Sequence, residues 1–432
     1  MLMKHACLLL CALYLTIASF AQVRRAPAYP LITHDTYFSI WSFTDTLNSA
    51  ATKHWTGADH SLTGYVQVGD SIYRFLGKPS KVYNTVLPSA GEKMHESKFT
   101  EADPGTNWMQ PGFDDNNWKT GKGAYGRGNS YATRWSSENI WVRRKFTLTQ
   151  VPENPVHLKL MHDDNVEVYL NGQRIYSHKG WVHDFKYYPV ENYKQLLKNG
   201  ENVLAIHVAN TAGGQHLDAG LVQEQKTNNT IPIVAARQLS REVRATQTIY
   251  KFACGPTDLT LTFTSPLLMD DLALLSRPVS YISCALRSND GKTRAATIHF
   301  AASTDLAVHE PSQAVRASAI TTSNLAMLKA GTIEQPVLKR KGDDVRIDWG
   351  YLYVATPQQF NPRQSFATAS GAPPRPAPGT VPGAEGESLL LTTLLQFEKV
   401  GAQPAEQYIM LGYDDGHAVQ YFGQNLAAWW KQ

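Results

Sequence analysis

Short runs in which apolar and polar residues alternate recur along most of the chain, with turn residues between them. The clearest is Val166-Glu-Val-Tyr-Leu-Asn171-Gly172-Gln-Arg-Ile-Tyr176. Its two alternating arms flank Asn-Gly, a pair that tolerates the left-handed backbone of a two-residue hairpin turn. His157–Met161, Trp141–Leu148, Asn202–Val208, Leu259–Thr264, Val279–Leu286 and Ala296–Phe300 have the same period of two. Asn289-Asp290-Gly291 predicts a hairpin joining the last two. Many short strands with regular turns predict an all-β protein of the sandwich type. A helical pattern shows only faintly, around Glu191–Leu197, and again near the C-terminus. There Tyr421, Phe422, Leu426, Trp429 and Trp430 fall at spacings that put much of the aromatic mass on one helical face. So short a helix depends on packing, so a partner surface beyond residue 432 is expected. The alternative is docking on its own sandwich.

Length changes this picture by allowing two or three domains in 432 residues, at roughly 150 residues each. The hydrophobic share of 43% is ample for large cores. The net charge of +4 is small and the basic residues are dispersed, which argues against a nucleic-acid partner or an anionic membrane surface. At the N-terminus, Lys4 and His5 precede an apolar run from Ala6 to Phe20, and Ser19-Phe20-Ala21 offers small residues for cleavage before Gln22. The run is shorter than the ~20 residues a spanning helix needs. A signal peptide over 1–21, export to the periplasm or beyond and no integral membrane anchor are therefore expected. Cys7 and Cys11 leave with the signal. Cys254 and Cys284 remain, either as a disulfide or as buried thiols.

The segment from about 100 to 225 looks self-contained and is expected to be a sandwich or jelly roll inserted into a β-supersandwich. The host is expected over 22–99 and 226–432, with a Pro/Gly-rich surface loop at 367–387, a lead-in at 411–432 and a short C-terminal helix. Gly121-Lys-Gly123-Ala-Tyr-Gly126 matches a dinucleotide fingerprint by letters only, because no helix follows it to cradle a phosphate. No nucleophile elbow and no zinc-binding helix is present, and no residue is assigned a catalytic role. Asp163 and Asp164, at the end of a strand, either hold Ca²⁺ or cap a turn; no other cofactor is implied. Trp41, His54 and Trp55 cluster as candidate ligand-binding residues, with a satisfied aromatic core as the alternative. Trp108, Trp118, Trp135, Trp141 and Trp181 invite a sugar-platform reading, although Trp118 and Trp141 have the spacing of core residues.

Pro111-Gly-Phe-Asp-Asp-Asn-Asn-Trp118, Asn139–Phe146, His162–Gly172 and Gly200–His207 together resemble the galactose-binding-like jelly roll, a module that accompanies many secreted glycosidases. Tyr29–Trp41, His54-Trp-Thr-Gly57, Leu62-Thr-Gly64, Cys254–Pro266, Asp348–Tyr353, Gly412–Asp415 and Gln420–Asn425 resemble the N-terminal β half of the secreted bacterial and fungal glutaminases. That resemblance implies a following (α/α) six-hairpin toroid, absent here and docked through residues 417–432, and hydrolysis of L-glutamine by the whole protein. On this reading the chain is the non-catalytic β portion. The alternative is a carbohydrate-binding module, with glycan bound at the insert, or the accessory half of a six-hairpin glycoside hydrolase.

Overall fold

The computed structural model describes residues 26–35, 37–78, 83–128, 131–225, 232–311, 313–339, 344–368 and 383–431. The expected signal peptide and most of the Pro/Gly-rich loop lie outside them. The fold is all-β, built from stacked sheets. Thr257–Thr264 alternates buried and half-buried positions without a break, as does Val279–Ser288 for most of its length, so each strand gives one face to a core.

Two large sheets form the host sandwich. The nine-stranded sheet runs in the order 237–243, 247–254, 257–264, 279–288, 405–414, 351–357, 325–332, 315–321 and 383–386. The six-stranded sheet runs 233–235, 71–76, 62–68, 294–303, 389–400 and 363–368. Phe75, Phe252, Phe263, Ile298, Leu391 and Leu411 lie in the core they share. Cys254 and Cys284 belong to that core as free thiols, with burial the main cause pushing each up to about 12. The hairpin expected at Asn289-Asp290-Gly291 is corrected: Val279–Ser288 and Arg294–Ser303 belong to different sheets. The turn is a corner between layers, and the Asp290 carboxylate braces it by accepting from Arg294, Ser288 and the Lys292 amide.

A second sandwich interrupts the first. One sheet has the order 173–178, 165–170, 200–209, 139–148, 96–100 and 119–122. The other has 182–189, 156–163 and 216–224, with 83–87 also paired to 216–224. Two strands before residue 100 therefore join these sheets. Ile140, Leu160, Val168 and Leu221 are in its core. The Asn-Gly hairpin forms as expected, with φ of 50° and 88° at Asn171 and Gly172. On the outer face, Trp108 and Trp141 pack over Val203 and Ala205. Beneath them Arg143, fully buried, donates to Asp115 at 2.9 Å and to the carbonyls of Trp108 and Gln110.

The short helix expected at the C-terminus is a single 3₁₀ turn, Trp429–Lys431. Before it, Val419–Tyr421 and Gln424–Leu426 pair as a hairpin, so the aromatic spacing does not mark a helical face. Phe422 and Gly423 supply the positive φ values, 43° and 79°, that the tight turn requires. No helix among the described residues is long and apolar enough to cross a membrane.

Candidate functional site

The candidate residues Trp41, His54 and Trp55 do meet. Trp41 and Lys53 exchange backbone hydrogen bonds at 2.7 and 2.9 Å, which sets Trp41 beside the His54–Trp55 turn. His54 is fully buried, 4.8 Å from the His60 ring and 5.4 Å from Trp55. Burial, with the charges of His54 and Arg346, pushes His60 well below the usual histidine range, so its ring stays neutral. Trp55 is 46% exposed. Trp41 is half-buried, and its Nε1 meets no hydrogen-bond partner among the described residues.

The insert contributes a second group of rings that no local sequence pattern predicts. Tyr83 and Tyr187, from two strands of the insert, stack with ring centroids 4.6 Å apart, and His157 meets Tyr83 edge-on. Burial pushes both phenols up to about 12, and carboxylates of the host sandwich add to it: Asp59 for Tyr83 and Asp305 for Tyr187. The two sandwiches are thus within electrostatic reach here. Burial raises Asp305 itself to about 6, helped by Asp59 and opposed by Ser303, Ser388 and Arg346. Lys159 sits 3.3 Å from Glu92 and over the Phe185 ring. Tyr83 and Tyr187 lie far apart in sequence, so no local pattern could have paired them.

The insert's tryptophans divide. Trp108, Trp135 and Trp141 are buried and Trp118 packs edge-on against Phe113, whereas Trp181 stays 56% exposed. Asp163 ends the strand Val156–Asp163 and Asp164 follows it. Asp164 accepts from the Thr211 hydroxyl and from the amides of Thr211 and Ala212, which hold its carboxyl below the usual range. Among the described residues no group of three or more His, Cys, Asp or Glu side chains is placed to hold a metal ion.

A second region is a cleft of about 490 Å³ beside the strand pair Tyr29–Ile32 and Ile40–Ser42. Its lining includes His34, Asp35, Phe263, Leu275, Asp415 and Trp430. A chain of rings, His34–Phe38–His60–His54–Trp55, links it to the first region through successive centroid distances of 5.5, 6.5, 4.8 and 5.4 Å.

Residues 246–432 match a family described as a domain of unknown function (DUF5127), and residues 6–88 match another (DUF4964). No curated protein matches. Among solved structures, a calcium-binding mutant of Bacteroides uniformis beta-glucuronidase 2 is similar at 17% identity, covering 49% of this chain and 31% of that one, with a TM-score of 0.26. Ruminococcus gnavus beta-glucuronidase in complex with uronic isofagomine matches at 11% identity, over 49% of this chain and 41% of that one, with a TM-score of 0.28. A beta-glycosidase from Bacteroides vulgatus matches at 12% identity, over 64% of this chain and 32% of that one, with a TM-score of 0.25. The chain spans 31%, 41% and 32% of the length of these three structures. The glutaminase expectation is corrected here: the matched structures are titled beta-glucuronidases and beta-glycosidases, and the matched families have no assigned activity. The expectation rested on motifs in strands and turns, where the same residues serve packing in many β-sandwiches.

Proposed function

We propose that this chain is a carbohydrate-binding, non-catalytic β portion accompanying a glycoside hydrolase, and that it is exported. The observation that carries the reading is Trp181, which keeps 56% of its surface exposed while the other insert tryptophans are packed. A large ring left facing water suits the apolar C–H face of a sugar, and polar groups around it can take the hydroxyls. Tyr187, 38% exposed and stacked on Tyr83, offers a second such ring, and Trp55 a third from the host sandwich. The test is a glycan array probed with the full chain. Trp181→Ala is expected to weaken binding by about tenfold or more, roughly 1.4 kcal/mol, at unchanged folding. Unchanged binding overturns the reading.

In the same reading a six-hairpin toroid covers Val419, Tyr421, Phe422, Leu426 and Trp429. All five are exposed, Phe422 at 90%, and an isolated two-stranded hairpin is marginal in water. Amide exchange across 419–426 is expected to be fast in this chain alone and slowed when a toroid is supplied. Strong protection in the chain alone would count against a covering domain.

A further inference from the structure

We infer that the insert carries an aromatic strip along its edge strand Val182–Pro189, and that the strip binds a linear, uncharged oligosaccharide longer than a disaccharide; this rests on the Trp181 reading above. In the register of that strand, Val182 opposes His162 and Tyr187 opposes Lys159. Between these pairs the edge strand carries two extra residues, so its alternation resumes on the same side. Leu158 and Leu160 turn to the core and His162, next in phase, is fully buried. Lys159 and Asp163 therefore turn outward, and alternation sets Trp181 and Tyr187 on that side with them. Phe185 lies between the two rings and is half-buried. Along the partner strand, Lys159 to Asp163 is four residues, about 13 Å. That length takes more than two sugar rings.

The rings are held in place by the protein itself. Lys159, itself buried, sets its Nζ 4.6 Å from the centre of the Phe185 ring and pairs with Glu92 at 3.3 Å. Tyr83 stacks on Tyr187 at 4.6 Å with the ring planes 4° apart, and Tyr187 still keeps 38% of its surface exposed. Rings fixed in this way lose little freedom when a ligand arrives. Flat faces in a row suit the successive C–H faces of an unbranched sugar chain. The charges around the strip are matched. Glu92 takes Lys159, and Asp59, whose charge acts on Tyr83, pairs with Lys53 at 2.6 Å. Asp305, whose charge acts on Tyr187, is opposed by Arg346. Lys186 opposes Leu160 and so falls on the other side of the strand. Asp163 and Lys179 border the Trp181 end with opposite signs. Among the described residues no surplus of positive charge meets the strip, so a uronate or sulfated chain finds no counter-charge and a neutral chain needs none.

The test is calorimetric titration of the full chain with cellohexaose, xylohexaose and mannohexaose, each against its own disaccharide, and with hexagalacturonate as the charged chain. At least one neutral hexasaccharide is expected to bind about tenfold or more tighter than its disaccharide, and tighter than hexagalacturonate. Tyr187→Ala is expected to cost the hexasaccharide about tenfold and the disaccharide much less, while Tyr187→Phe, which keeps the ring, retains most of the affinity. Circular dichroism melts check that both variants fold. Four results overturn the inference and leave the Trp181 reading standing, provided the glycan array shows binding that Trp181→Ala removes. They are no binding by any neutral hexasaccharide, equal affinity for long and short chains, unchanged hexasaccharide affinity in folded Tyr187→Ala, and tighter binding of hexagalacturonate. An array with no binding at all overturns both.

Discussion

Asp115 in the insert and Asp415 in the host sandwich are treated in opposite ways. Burial would raise Asp115, but Arg143 and Lys145 hydrogen-bond it and hold it below the usual carboxylate range. Asp415 is raised to about 6, first by burial and then by the charges of Asp35 and Asp414. Asp305, at the junction of the sandwiches, is raised to about 6 as well. A buried charge with matched partners is architecture. Carboxylates raised together at the rim of a cleft or a seam are poised for a ligand or a proton. The insert places its best-matched charges beneath an aromatic layer, and the host places its poorly compensated acids at its ends.

The sharpest way to break this comparison is at Arg143. Arg143→Ala leaves Asp115 buried without its main counter-charge and is expected to destabilise the insert by about 3–5 kcal/mol, measured by urea unfolding. The double variant Arg143→Met with Asp115→Leu should recover much of that loss, because replacing both members of a buried pair by apolar groups is often neutral. A loss below about 1 kcal/mol for the single change would show that the pair is not structural.

Next comes the host core. Leu261 is fully buried between the large sheets, and Leu261→Ala is expected to cost about 2–5 kcal/mol. Followed by tryptophan fluorescence, Arg143→Ala should move the transition reported by the insert's tryptophans more than Leu261→Ala does. Equal shifts would mean that the two sandwiches unfold as one cooperative unit.

Much of the fold was legible in sequence because a period of two is a local property. Thr257–Thr264 and the Asn171–Gly172 turn carry their own instructions. Sheet membership was not legible: Val279–Ser288 and Arg294–Ser303 are adjacent in sequence yet pair in different layers, a choice set by distant strands. The C-terminal aromatics fit a helix by spacing, yet Phe422-Gly423 turn the chain back. At the candidate sites, Trp41, His54 and Trp55 were visible because they are close in sequence. Tyr187, Asp305 and the pairing of Asp35 with Asp415 depend on long-range closure and left no local pattern.

Acidity separates the two kinds of carboxylate at smaller energies. A carboxyl raised in the folded state binds more protons there than in the unfolded chain between about pH 4 and pH 6. Stability from Asp305 therefore falls as pH rises through that window and is flat above it. Asp305→Asn should remove the effect, so the variant gains on the wild type by on the order of 1–3 kcal/mol between pH 4 and pH 7. Asp115 has the opposite sign: its contribution is present above the unfolded value and is lost as pH falls through its depressed folded value. Urea midpoints of both proteins across this range are the measurement, and a constant difference would refute the assignment for Asp305.

The smallest stability effect is expected at Trp181, and that is its value. A ring 56% exposed contributes little to either core, so Trp181→Ala should change stability by no more than about 0.5 kcal/mol. Trp141→Ala, which removes a buried ring packed at 4.6 Å on His207, should cost about 3–5 kcal/mol. If glycan binding is lost in the first variant with the melt unchanged, the exposed ring is held for a ligand. If Trp181→Ala lowers the melt as Trp141→Ala does, the ring is part of the sandwich, and exposure alone does not mark a binding surface.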